Sequence, residues 1–253
     1  MAGHRILIVT TSHGVLGSTG ERTGLWLEEL AAPYWVFRDA GCEVDIVSMA
    51  GGKVPIDPRS MAEGGERPAS VQRFLDDRRA MQTLDDTPTF ASMATDRHDA
   101  IFLPGGHGTM WDLPADENLA QAVAAAYDDG RIVAAVCHGP AGLVGAVRAD
   151  GKALVGARRV TSFTNAEEAA AGLTDAVPFL LESRLRQLGG IFESAAAFAP
   201  FVVRDGNLIT GQNPQSSQAV AEAVLGALRE PRQDPAVTAR ETGIVGEHGV
   251  RAG

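Results

Sequence analysis

Ile132-Val133-Ala134-Ala135-Val136-Cys137-His138-Gly139-Pro140 runs a short apolar stretch into a turn of small residues, with a cysteine at the junction. The run is too short for a helix and β-branched enough for a buried parallel strand. Gly139, Ala141 and Gly142 allow a tight turn and close packing of a following helix. Such a strand-turn-helix elbow lifts the side chain at its apex out of the sheet, where an α/β protein carries a nucleophile. A helix beginning there would offer backbone N–H groups and a positive dipole end, favouring thiolate over thiol. The same cysteine read as a packing residue is a small buried apolar group.

Outward from this elbow, the chain alternates strands and helices. Strands are expected over 5–11, 43–49, 99–103, 132–136 and 158–163, and helices over 24–41, 115–129, 177–188 and 215–228, with a hairpin over 201–210 turning at Asp205-Gly206. This alternation predicts an α/β fold with a mostly parallel sheet covered by helices on both faces. The functional edge of such a sheet lies at the carboxyl ends of its strands. Cys137 and the turn Pro104-Gly105-Gly106-His107-Gly108-Thr109 would share that edge. The stretches 51–70 and 84–98, rich in Gly, Pro, Asp and Ser, read as loop insertions over a site. Residues 1–230 read as a single domain and 231–253 as a flexible tail without periodicity.

The 253 residues carry a formal net charge of −10, with 45% hydrophobic and 21% charged residues. That balance fits an ordinary globular protein, and its sign argues against nucleic acid or an anionic membrane as partner. A small-molecule or protein substrate is left. No apolar run has the length of a membrane span, and the first residues lack the layout of a signal peptide. Two cysteines, Cys42 and Cys137, are too few for a disulfide scaffold and suit a reducing cytoplasm. No metal is expected, because the six histidines are scattered and neither His-x-x-His nor Cys-x-x-Cys occurs.

Helical phase places Glu29 on the apolar face of its helix with Leu25, Trp26, Ala32, Pro33 and Val36. A carboxyl group turned inward prefers its protonated form, unless backbone N–H groups or an arginine such as Arg22 satisfy it. Pro33 has no N–H for the carbonyl of Glu29 and should bend the helix there. His138 comes directly after the nucleophile, so its own N–H lies beside any oxyanion formed there. Its ring can serve Cys137 as a base only where the backbone turns sharply. A carboxylate is then needed to orient the imidazole, and Glu167 and Glu168 are both within reach of the edge. The glycine turn can present N–H groups to an oxyanion, so Gly106, His138 and His107 are the candidate oxyanion and substrate-binding residues. It has neither the lysine of a phosphate loop nor the spaced glycines of a dinucleotide fingerprint.

Taken together, Ala135 to Pro140, Pro104 to Thr109, and Thr23-Gly24 followed by Glu29 and Pro33 resemble the ThiJ/PfpI superfamily, and within it the heat-shock protein 31-like branch. Asp57-Pro58-Arg59-Ser60, Ser162 to Glu168 and Gly211 to Ser216 extend the resemblance across about residues 4–228. The resemblance implies a flavodoxin-like three-layer sandwich with Cys137 as nucleophile, His138 beside it, Glu29 hydrogen-bonded to the sulfur and Glu168 orienting the histidine. Backbone donors would fall on Gly106 and His138. The implied activity is that of a glutathione-independent glyoxalase, a cofactor-independent and cysteine-dependent lyase that converts methylglyoxal or a similar 2-oxoaldehyde to lactate, in a homodimer.

Deglycation would use the same residues, and a stress holdase-chaperone or redox sensor is the non-enzymatic alternative. Glutamine amidotransfer is disfavoured, since the only late histidine is His248, outside a His-x-Glu pair.

Overall fold

In the computed structural model, residues 3–61 and 67–230 are described. The first half supplies β1 (Arg5–Thr10), α1 (Leu27–Asp39), β2 (Glu43–Ser48), α2 (Ala69–Asp76), α3 (Arg78–Gln82) and β3 (Ala100–Leu103). The second half adds α4 (Thr109–Asp112), α5 (Glu117–Asp128), β4 (Ile132–Val136), β5 (Arg159–Val160), α6 (Asn165–Ala170), α7 (Leu181–Gln187) and β6 (Ile191–Phe192). The hairpin β7 (Val202–Asp205) and β8 (Leu208–Gly211) leads into α8 (Ser217–Leu228).

Six strands form the main sheet in the order β2-β1-β3-β4-β8-β7. Every neighbouring pair is parallel except β7 with β8. Because side chains alternate across a strand, each central strand feeds two cores. Ile6, Ile8, Phe102, Ala134 and Val136 pack with Leu30 and Phe37 of α1 and with Val220 and Val224 of α8. Leu7, Val9, Ile101, Leu103, Val133 and Ala135 pack on the opposite face with Leu119, Val123 and Tyr127 of α5. This is the α/β three-layer sandwich. Phe102, wholly buried in the first core, would cost about 3–5 kcal/mol if truncated to alanine.

The strand expected over 158–163 is cut to Arg159–Val160, which pairs with β6 in a separate two-stranded sheet. The place beside β4 is taken by β8, with Val133 opposite Leu208 and Val136 opposite Gly211. The chain beyond Val160 therefore crosses the carboxyl edge: Thr161 N–H donates to Thr210 Oγ1 at 2.9 Å, and Phe163 N–H to the Cys137 carbonyl at 2.9 Å. The helix expected over 177–188 begins only at Leu181, after Pro178. The 51–70 stretch ends in the first turn of α2, whose Val71 and Phe74 are buried, and 84–98 holds two short 3-10 turns. Residues 231–253, read as a tail, lie outside the described residues.

Candidate active site

β4 ends where the Cys137 N–H donates to the Gly211 carbonyl at 2.9 Å, and Cys137 itself takes a left-handed φ of 58°. For a residue with a Cβ this is a strained conformation, held here by the strand behind and the turn ahead. The chain continues in a 3-10 turn over Gly139–Leu143 and not in the expected α-helix. The helix-dipole argument for a thiolate therefore fails. Burial pushes the Cys137 thiol well up, reinforced by the Glu29 carboxyl, while the His138 N–H acts in the opposite direction. With 3% of its surface exposed, Cys137 rests as a thiol and needs a base.

The turn does bring the neighbouring imidazole back. His138 Nδ1 lies 3.3 Å from Cys137 Sγ, and its Nε2 lies 2.8 Å from Glu168 Oε2. Of the two acids left open by the sequence, Glu168 thus meets the ring. Glu167 is diverted by a capping box: Thr164 and Glu167 satisfy each other's backbone N–H groups at the start of α6. That Thr-x-x-Glu spacing was a signal available in the sequence. Glu168 Oε1 also meets His107 Nε2 at 2.9 Å. Burial works against the charge of Glu168, but hydrogen bonds from His107 and His138 outweigh it and hold its carboxyl well below the usual carboxylate range.

His107, expected as a substrate or oxyanion residue, packs its ring 4.1 Å from that of His138. Burial, aided by the His138 charge, lowers its pKa to about 4, so its imidazole is neutral at physiological pH. Its Nδ1 is buried without a hydrogen-bond partner. His107, His138 and Glu168 also form a grouping of potential metal ligands. Both imidazoles spend Nε2 on Glu168, and these hydrogen bonds account for the close approach.

Glu29 is wholly buried within α1, as helical phase required, and α1 runs through Pro33. Its Oε2 accepts the Gly105 N–H at 2.7 Å, whereas Oε1 has no nitrogen or oxygen partner. Burial raises its pKa well above the carboxylate norm, with the Cys137 thiol as its hydrogen-bonding neighbour. The acid is therefore protonated and stands against the sulfur. Among the described residues no arginine is hydrogen-bonded to it; Arg59 forks onto the buried Asp57 with contacts of 2.9 and 2.6 Å.

The glycine turn closes the site from above. A Cβ on Gly105 would lie 2.6 Å from the His138 backbone nitrogen and 2.8 Å from Glu29 Oε2, so the turn can touch both only as glycine. Gly106 has a φ of 97° and would strike the backbone of Gly24 and Trp26 if it carried a side chain. Phe163, not singled out in the sequence, lays its ring 4.6 Å from the His138 ring.

The DJ-1/PfpI family model matches residues 23–227, a span that holds Glu29, the glycine turn, Cys137, His138 and Glu168. The chain belongs to the DJ-1/PfpI family. Within the family it is 32% identical over 247 residues to the probable glutathione-independent glyoxalase hsp3103 of Schizosaccharomyces pombe, covering 85% of this chain and 94% of that protein. It is 30% identical over 237 residues to the glutathione-independent glyoxalase HSP31 of Saccharomyces cerevisiae, covering 90% of this chain and all of that one. Among solved structures, glyoxalase III from Candida albicans superposes with a TM-score of 0.79 at 27% identity, over 88% of this chain and 97% of that chain. The Francisella tularensis Rapid Encystment Protein 24 KDa gives a TM-score of 0.85 at 38% identity, over 89% and 99%.

Proposed function

We propose that the protein is a glutathione-independent glyoxalase acting on methylglyoxal or a similarly small 2-oxoaldehyde. The observation that carries this reading is the line of contacts Glu168 Oε2, His138 and Cys137 Sγ, at 2.8 and 3.3 Å, with the protonated Glu29 as a further neighbour of the thiol. His138 takes the thiol proton and Cys137 adds to the aldehyde carbon, forming a hemithioacetal. The N–H groups of Gly106 and His138 meet the developing oxyanion, and His107, whose Nδ1 has no partner among the described residues, is the further substrate-binding residue. His138 returns the thiol proton to the hemithioacetal oxygen and then takes the proton from C1 while Glu29 protonates the ketone oxygen. The enediol collapses as His138 delivers its proton to C2 and the C1 hydroxyl proton returns to Glu29, leaving a thioester. Water cleaves the thioester, releasing the 2-hydroxy acid and restoring the thiol.

One carbon is oxidised as its neighbour is reduced, so the sum is substrate plus water with no external oxidant or reductant. The 3% exposure of Cys137 favours a small free aldehyde over a bulky glycated adduct. Among the described residues no helix is long and apolar enough to cross a membrane. Two free cysteines suit a reducing cytoplasm, and the family resemblance supports a homodimer and one domain ending near residue 230. Purified protein incubated with methylglyoxal and no glutathione should form lactate as the aldehyde disappears. Consumption without lactate would overturn the assignment.

A further inference from the structure

Glu167, freed from the imidazole, holds a different part of the site. It is wholly buried, and its Oε2 accepts the Thr164 N–H and hydroxyl at 2.9 and 2.8 Å. Its Oε1 accepts three donors: the Phe198 N–H at 2.7 Å, Asn213 Nδ2 at 2.9 Å and Gln212 Nε2 at 3.0 Å. The two amides pass the restraint along the same segment, since Gln212 Oε1 accepts the Ala195 N–H at 2.9 Å and Asn213 Nδ2 donates to the Ala199 carbonyl at 2.7 Å. Residues 195–199 are thereby tied to one buried carboxylate.

At the middle of this strap Phe198 adopts a left-handed φ of 60° and leaves 44% of its surface exposed. Both features cost stability, a bulky side chain in that backbone region and an open aromatic face. The ring sits 6.1 Å from Phe163 at 64°, and Phe163 is itself on the His138 ring and bonded through its N–H to the Cys137 carbonyl. A chain of ring contacts thus links the exposed Phe198 through the buried Phe163 to the His138 imidazole.

We propose that Phe198 is a specificity-determining residue that receives the ketone-side substituent of the 2-oxoaldehyde, favouring aromatic substituents, with Glu167 as the positioning residue that fixes it. This rests on the glyoxalase reading of Cys137. Five donors converge on this buried carboxylate, one of them the N–H of the strained, exposed Phe198.

The test compares kcat and KM for methylglyoxal and phenylglyoxal in wild type, Phe198→Ala, Phe198→Leu and Glu167→Gln. In Phe198→Ala the kcat/KM ratio of phenylglyoxal to methylglyoxal should fall about tenfold, chiefly through the KM for phenylglyoxal. Phe198→Leu should recover part of that ratio, and Glu167→Gln should shift it in the same direction as Phe198→Ala. A Phe198→Ala enzyme that makes lactate with the ratio unchanged overturns the inference and leaves the glyoxalase reading intact. Wild type that makes neither lactate from methylglyoxal nor mandelate from phenylglyoxal overturns both. If Phe198→Ala does not fold, Phe198→Leu decides: a lowered ratio supports the inference, and an unchanged one overturns it.

Discussion

Two of the fold's histidine-carboxylate contacts have the same length, one at the partly exposed Asp45 and one at the buried Glu168, and they differ in what meets the far ring nitrogen. His98 Nε2, just ahead of β3, lies 2.8 Å from Asp45 in β2, and His138 Nε2, just after β4, lies 2.8 Å from Glu168. Asp45 also accepts from Arg5 at 2.7 Å, which turns the first pair into an ion-pair cluster tying β1 to β2. The far nitrogen of His98 has no partner, whereas the far nitrogen of His138 faces a thiol at 3.3 Å. A buried imidazole held by a carboxylate is thus a structural unit that recurs in the fold, at His98, His107 and His138. What separates the His98 and His138 pairs is the group on the other nitrogen, a thiol in one case, delivered by the elbow at the carboxyl edge.

The contrast is broken most severely at Glu168. Glu168→Gln keeps the shape but removes the charge that orients His138, and kcat should fall roughly 10²- to 10⁴-fold with KM little changed. A steady-state comparison checks this; an undiminished kcat would show that the second pair is as passive as the first. Glu29→Gln leaves a donor at the sulfur but no transferable proton, and kcat should fall roughly 10²- to 10³-fold.

Acid sensitivity should also separate the two sites. His107 titrates at about 4 in the folded protein and near 6.5 when unfolded. The unfolded state therefore binds the extra proton first. The stability this contributes is complete above about pH 6.5 and lost as pH falls toward 4, about 3 kcal/mol in all. Chemical denaturation across that window should show a shallower slope for His107→Gln than for wild type. Glu168 has the opposite ionisation but the same sign of dependence: its folded value is depressed, so its contribution is complete above the unfolded value near 4.3 and declines below it. The smallest effect belongs to the structural pair. Asp45→Asn should cost about 1–2 kcal/mol in denaturant titration, discounted for partial exposure, and leave turnover within about twofold.

The same contrast explains what could be read from the chain. β-branched apolar runs marked β1 to β4, and helical phase alone turned Glu29 inward, because those signals are local and each residue's neighbours along the chain carry them. The segment 158–163 has an equally good strand pattern, yet β8 occupies the sheet position beside β4, a competition that local pattern does not register. The choice between Glu167 and Glu168 depends on which carboxylate caps its own helix. Thr164, three residues before Glu167, encodes that cap. Gln212, Asn213 and Phe198 join Glu167 from distant positions and carry no motif of their own. His107 was legible as a residue of the glycine turn, but its bond to Glu168 required the folded edge.

The most direct measurement is lactate formed from methylglyoxal, without glutathione, by wild type and by Cys137→Ala at equal protein concentration. Wild type should turn over repeatedly while Cys137→Ala falls to the uncatalysed background. Equal rates of lactate formation would contradict the nucleophilic role of Cys137 and the account built on it.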